Sequence, residues 1–180
     1  MTQTKLNLNK LIFILNLTLF FILVGIIGYL ILYKSTIINT TGLYKVIKVI
    51  DGDTIQVEIN NRIETIRLIG IDTPEIFPKK ECFGEEAFQK TRTLLEGQKV
   101  YLLPDPFSSD KDKYNRSLRY VFLPNGRFIN AELIKEGYAF NYIYEPFQFM
   151  KYFDYLEKKA KESRLGLWSD KCNYYFEIKK

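Results

Sequence analysis

Between Leu11 and Tyr33 the chain runs 23 residues, LIFILNLTLFFILVGIIGYLILY, without a charged side chain. About 20 apolar residues wound as a helix span the hydrocarbon core of a bilayer. A run of this length is too long for an ordinary buried core helix, and Asn16 and Thr18 are its only clearly polar members. Lys5 and Lys10 precede it and Lys34 follows it, so the positive excess lies on the amino side. That asymmetry favours a cytoplasmic amino terminus and an exported remainder. A cleaved signal peptide has an apolar region of about 7–15 residues and a small-x-small cleavage site. Tyr33-Lys34-Ser35-Thr36-Ile37 is a poor site of that kind. The expectation is a membrane anchor or signal sequence over residues 1–33, with retention favoured over cleavage and secretion the consequence of cleavage. Residues 34–42 read as a short polar linker.

Composition excludes a good deal of chemistry. The 180 residues contain no histidine and two cysteines. A Ser-His-Asp or Cys-His triad, a histidine base and a histidine metal ligand are all ruled out. Any metal must be held by oxygen or by the two thiols. The net charge of +5 is misleading, because residues 1–42 contribute +3 and the remainder only +2. A case for an anionic ligand therefore rests on where the charges stand.

Past the linker, residues 43–170 carry strand signals first. Leu43–Ile50 and Thr54–Ile59 are rich in β-branched residues, and Ile55, Val57 and Ile59 alternate with polar neighbours, giving one buried face. Asn60-Asn61 is a turn pair leading to a third strand, Glu64–Ile71. Lys99–Leu103 and Ser117–Phe122 are the fourth and fifth, the latter closed by Pro124-Asn125-Gly126. Ala87, Phe88, Thr91, Leu94 and Leu95 have helical spacing with Gly97 as a stop. Asn130 reads as the N-cap of a short helix ending near Gly137. Phe149, Phe153, Leu156 and Ala160 line one face of a last helix ending near Gly166. The expected fold is α+β, a five-stranded OB-type barrel with three helices. Residues 171–180 form a tail.

Several residues stand out chemically. In Asp51-Gly52-Asp53-Thr54, an Asp-Gly hairpin turn is the ordinary reading. Asp53, however, shares parity with Ile55, Val57 and Ile59, and an inward carboxylate needs a partner or a metal. Arg67 lies mid-strand among apolar residues, so it must reach an internal carboxylate or offer its fork to a phosphate. Asp72-Thr73-Pro74-Glu75 follows, with Pro74 stiffening the exit. In Asp110-Lys111-Asp112-Lys113-Tyr114-Asn115-Arg116, a solvated loop is the plain reading, but the tyrosine and arginine also suit base stacking and phosphate pairing. Tyr142 and Tyr144 share one side of an extended segment, for core packing or for a ligand.

Taken together, the runs VIDGDT, IRLIGIDTPE, GEEAF, DKYNRSLRYVF, NAELIKEGYA and RLGLWSD resemble the staphylococcal nuclease, or thermonuclease, family over about residues 44–170. The resemblance implies an OB-fold and a Ca2+-dependent phosphodiesterase acting on DNA and RNA. It implies that Asp53, Asp72 and the Thr73 carbonyl hold calcium, with Asp51 in its outer shell. Glu75 would handle the attacking water, and Arg67 and Arg116 the scissile phosphate. Lys113, Tyr114, Tyr142 and Tyr144 would contact the nucleotide. Two departures are visible. Asn115 stands where glycine is usual, though asparagine tolerates left-handed backbone. The loop from Glu75 to the first helix is also short.

Without the resemblance, the same donors are coherent. Calcium takes oxygen ligands, and a metal with two guanidiniums offsets charge on phosphoryl oxygens. A non-catalytic OB-fold module binding nucleic acid or protein is the alternative, but it has no need of Asp53, Arg67, Asp72, Glu75 and Arg116 together. An exported domain with two thiols also permits a Cys82–Cys172 disulfide, with two free thiols the alternative. The protein is expected to act as a monomer on single- or double-stranded DNA and RNA, with membrane contact through residues 11–33.

Overall fold

The computed structural model describes residues 2–40, 42–172 and 174. The chain divides into two units, residues 1–42 and 43–180. The first contains one helix, α1 (Thr2–Thr40). Its stretch Lys10–Tyr29 is long and apolar enough to cross a membrane, and none of it is buried. The Thr18 hydroxyl donates to the Leu15 carbonyl at 2.9 Å, which satisfies it within the helix. The helix also takes in residues 34–40, expected as linker. No glycine or proline between Lys34 and Thr40 interrupts the backbone ladder, and Gly42 is the first residue able to.

The second unit is built on a closed barrel. Strands β1 (Leu43–Val49), β2 (Thr54–Ile59) and β3 (Arg62–Leu68) follow one another, and β5 (Lys99–Leu103) and β6 (Ser117–Phe122) complete the circuit in the order β1-β2-β3-β6-β5. Only the β3–β6 pairing is parallel. Asn60 and Asn61 both adopt left-handed backbone, φ 51° and 60°, the pattern whose twist suits a two-residue hairpin. Their turn sets the register Ile55↔Ile66 and Thr54↔Arg67. Val46, Val49, Ile55, Val57, Ile66, Leu68, Val100 and Val121 fill the interior. Each such side chain contributes roughly 1.5–3 kcal/mol on burial.

Three elements depart from the sequence expectation. The third strand ends at Leu68, not Ile71. Gly70 turns the chain with φ 73°, and an added Cβ there would meet the Phe147 ring at 2.6 Å. After this bend Ile71–Asp72 (β4) pairs with Phe140–Asn141 (β7). A continuous apolar run looks alike whether a buried strand is straight or broken. Helix α2 spans Gly84–Leu95, with Gly97 left-handed beyond its end.

The second departure concerns Asn130. Helix α3 is Ile129–Lys135, so Asn130 lies inside it rather than capping it. The side chain is fully buried, accepting the Val121 amide and donating to the Ile69 carbonyl, both at 2.9 Å. Two buried backbone groups that need partners outweigh an N-cap bond that water can replace. The third is the last helix, α4 (Met150–Glu162), which ends short of Gly166. The chain reverses at Arg164, φ 52°, and Gly166–Trp168 forms a 3-10 turn. That turn buries Leu167 and Trp168 against Ala160. Cys82 and Cys172 are joined by a disulfide, Cα atoms 5.8 Å apart. Of the tail, residues 173 and 175–180 lie outside the described residues.

Candidate active site

One end of the barrel carries a cleft of about 440 Å³. Five chain segments meet there. The β1–β2 corner brings Asp51 and Asp53, and β3 brings Arg67. The short β4 and its exit bring Asp72 and Glu75. The loop before β6 brings Lys113, Tyr114 and Arg116, and the segment after β7 brings Tyr142 and Tyr144. Thr73 is buried beneath the cleft rather than lining it. Cys82 and Cys172 are not part of its lining.

The corner is tied down from both sides. The Ile50 and Asp51 amides reach the Thr54 carbonyl, and an Asp51 carboxylate oxygen accepts the Asp53 amide at 3.0 Å. Gly52 is required by close approach, since a Cβ would stand 2.6 Å from the Thr73 hydroxyl. Its carbonyl takes the Thr91 hydroxyl of α2 at 2.6 Å. Asp53, 5% exposed, turns inward with its strand parity. Its Oδ2 accepts the Thr73 amide at 2.8 Å and hydroxyl at 3.1 Å, and its Oδ1 accepts the Thr54 hydroxyl.

Arg67 takes the first of the two partners its position allowed, the internal carboxylates. Its Nη2 donates to Asp72 Oδ1 at 2.7 Å. Its Nη1 forms an ion pair with Asp53 that is not aligned as a hydrogen bond. A guanidinium is thus lodged between the two carboxylates. Burial works against its charge and Asp72 supports it, so its pKa is lowered from the usual arginine value, yet an arginine stays protonated.

The loop before β6 is organised by a carboxylate the sequence did not single out. Asp112 Oδ1 accepts the amides of Tyr114 and Arg116, each at 2.9 Å, and Oδ2 pairs with Arg116 Nε at 2.6 Å. Burial opposes ionisation of Asp112, but the Arg116 amide and guanidinium outweigh it and hold its pKa below the ordinary value. The only sequence signal was an aspartate opening a turn, four residues before the arginine. Asn115 supplies the left-handed backbone, φ 64°. Tyr114 is 68% exposed, with the Lys113 ammonium 5.0 Å and the Arg116 guanidinium 5.3 Å from its ring. Tyr142 and Tyr144 are 46% and 80% exposed, which removes core packing as their role.

Acids on this wall are crowded. Burial raises the pKa of Asp51 and of Asp72 despite Arg67 beside them. Burial also raises Glu75, and the charges of Asp51 and Asp72 raise it further. Glu81, another residue not expected at the site, contributes to both Asp72 and Glu75. Its carboxylate accepts the Glu75 amide at 3.0 Å, and its amide donates to the Glu75 carbonyl at 2.8 Å. A cation between Asp53 and Asp72 suits this field, and Arg67 already supplies one. The oxygen donors fit a hard divalent ion such as Ca2+. Among the described residues, no three Asp, Glu, His or Cys side chains are grouped to hold a metal. Such an ion would rely on two carboxylates, a backbone carbonyl and exchangeable ligands.

Comparison with known proteins gives one consistent picture. Residues 65–170 match the family model described as staphylococcal nuclease homologue. The chain is 38% identical over 131 residues to a thermonuclease of Staphylococcus hyicus, covering 71% of this chain and 76% of that protein. It is 37% identical over 129 residues to a thermonuclease of Staphylococcus intermedius, covering 69% and 75%. Endonuclease YncB of Bacillus subtilis is 36% identical over 127 residues, 68% of this chain but 59% of that longer protein.

Proposed function

Because the chain belongs to the family of staphylococcal nuclease homologues and is a nuclease, we propose that it hydrolyses DNA and RNA in a Ca2+-dependent reaction with little sequence preference. The observation that carries this reading is the meeting of two guanidiniums, the Asp53/Asp72 pair and Glu75 in one cleft. Asp53, Asp72 and the Thr73 carbonyl would hold Ca2+, with Asp51 in its outer shell. When bound, the ion supplies positive charge against the phosphoryl oxygens.

This chain's own residues do the rest. Arg116, and Arg67 once its fork is released from Asp53 and Asp72, grip the phosphate through planar forks, which match its oxygens two at a time. Glu75 takes a proton from water. The raised pKa from burial and its acidic neighbours makes it the stronger base once ionised. Tyr114, Tyr142 and Tyr144 offer exposed rings for bases or sugars, a sequence-tolerant mode of binding. Lys113 adds charge for the backbone. Residues 11–33 retain the protein at the membrane, with the nuclease domain outside.

The test is cleavage of plasmid DNA and of a mixed-sequence RNA by the full chain, with Ca2+ or with excess chelator. Both substrates should be cut at many positions, and only with Ca2+. Full activity in chelator overturns the metal assignment. Cleavage at a single sequence overturns the lack of preference. Binding of both substrates without cleavage of either points to a non-catalytic module.

A further inference from the structure

The Cys82–Cys172 disulfide closes on the segment that carries Glu75. Residues 76–80 belong to no strand or helix, and 77–80 are exposed. This segment is held at its far end. Glu81 returns to Glu75 twice, through its amide at 2.8 Å and its carboxylate at 3.0 Å. Gly84, which opens α2, lies so close that a Cβ would stand 2.5 Å from the Glu75 carbonyl oxygen. Cys82 sits between these two contacts. It is exposed, whereas Cys172 is 2% exposed, just past the buried Leu167 and Trp168. The same stretch of chain adds the Tyr174 hydroxyl, donating to the Cys82 carbonyl at 3.1 Å, and an ion pair from Lys171 to Glu86.

We infer that the Cys82–Cys172 disulfide, acting through Glu81, positions Glu75 against the cleft. The inference rests on the assignment of Glu75 as the base. An exposed loop fastened by two hydrogen bonds samples many conformations, and a base acts only when it is within hydrogen-bond reach of its proton. Bonding Cys82 to a buried anchor fixes the residue next to Glu81. Glu81 passes that constraint to both the amide and the carbonyl of Glu75. The disulfide and Glu81 are therefore positioning elements that touch no substrate.

The experiment uses the full chain in detergent, with the Cys82→Ser/Cys172→Ser double variant and Glu81→Ala, each alone and combined with Glu75→Gln. Circular dichroism selects a temperature at which each is folded. Both changes should lower kcat on DNA by roughly tenfold or more, given that misplacing a group by about 1 Å costs ~10²-fold. KM should stay unchanged. In the Glu75→Gln background neither change should lower kcat further. Unchanged kcat in the folded variants overturns the inference, and so does the same fold-loss in both backgrounds. If the double variant does not fold, Glu81→Ala, which keeps the disulfide, decides by the same two criteria. If Glu75→Gln alone leaves kcat intact, the base assignment fails first, and that result is distinct from a failure of positioning.

Discussion

Replacing Asn130 should destabilise the barrel, and the choice of replacement separates a core bracket from a helix cap. The side chain joins the Val121 amide of β6 to the Ile69 carbonyl just past β3. Asn130→Ala strips the partner from a buried donor and from a buried acceptor. Each costs about 1–3 kcal/mol, so the pair costs about 2–6 kcal/mol. For a domain of this size, roughly 3–5 °C of Tm goes with each kcal/mol, and Tm should fall by at least about 6 °C. Asn130→Asp still accepts from Val121 but offers Ile69 no donor, and it places a carboxylate in the core. Burial would raise the folded pKa of that carboxylate above its unfolded value. The variant should therefore be least impaired below the unfolded aspartate pKa and lose stability as pH rises toward the folded pKa. A capping residue behaves otherwise, since aspartate caps as well as asparagine and alanine costs about 1 kcal/mol. Trp168, the only tryptophan and 1% exposed, reports barrel unfolding by fluorescence independently of α1. Activity should fall too, because Ile69 begins the bend that delivers Asp72. An Asn130→Asp protein as stable as the parent at neutral pH would refute the reasoning.

Other outcomes follow from the cleft. Glu75→Gln should lower kcat by about 10²–10⁴-fold, the usual worth of general-base help, with Ca2+ affinity little changed in calorimetry; loss of Ca2+ binding would make Glu75 a ligand instead. Asp53→Ala should weaken Ca2+ binding and rate together. Arg67→Lys and Arg116→Lys should each lose most of kcat while circular dichroism stays native, because an ammonium cannot reproduce a planar fork; near-normal kcat in either removes that arginine from the reaction. Fractionation with surface proteolysis should find the domain membrane-bound and cleavable from outside, whereas a soluble product beginning after residue 35 would mean the segment is removed.

What the sequence determined about this protein was written in short-range pattern. Twenty-three residues without charge specify a membrane-length helix whatever surrounds them. Alternation at Ile55, Val57 and Ile59 states which way Asp53 points, Asn60-Asn61 declares a turn and Asn115 tolerates left-handed backbone, because parity and backbone preference depend on a residue and its neighbours. The resemblance named the residues of the cleft because runs such as DTPE and DKYNR survive as contiguous strings. Tertiary structure decided the partners. Asn130 looked like a cap because its local context suits one, and it became a bracket only when Val121 and Ile69 arrived with unpaired backbone groups. Arg67 was certain to need a counter-charge, but only the fold chose Asp53 and Asp72 for it. Gly70 breaks an apolar run because Phe147, 77 residues further on, fills the space where a side chain would go. Glu81 meets Glu75, and Cys82 meets Cys172, through loop closure that no periodicity encodes. Local pattern fixes which face a side chain shows, while the group waiting on that face is set by packing among segments far apart in the chain.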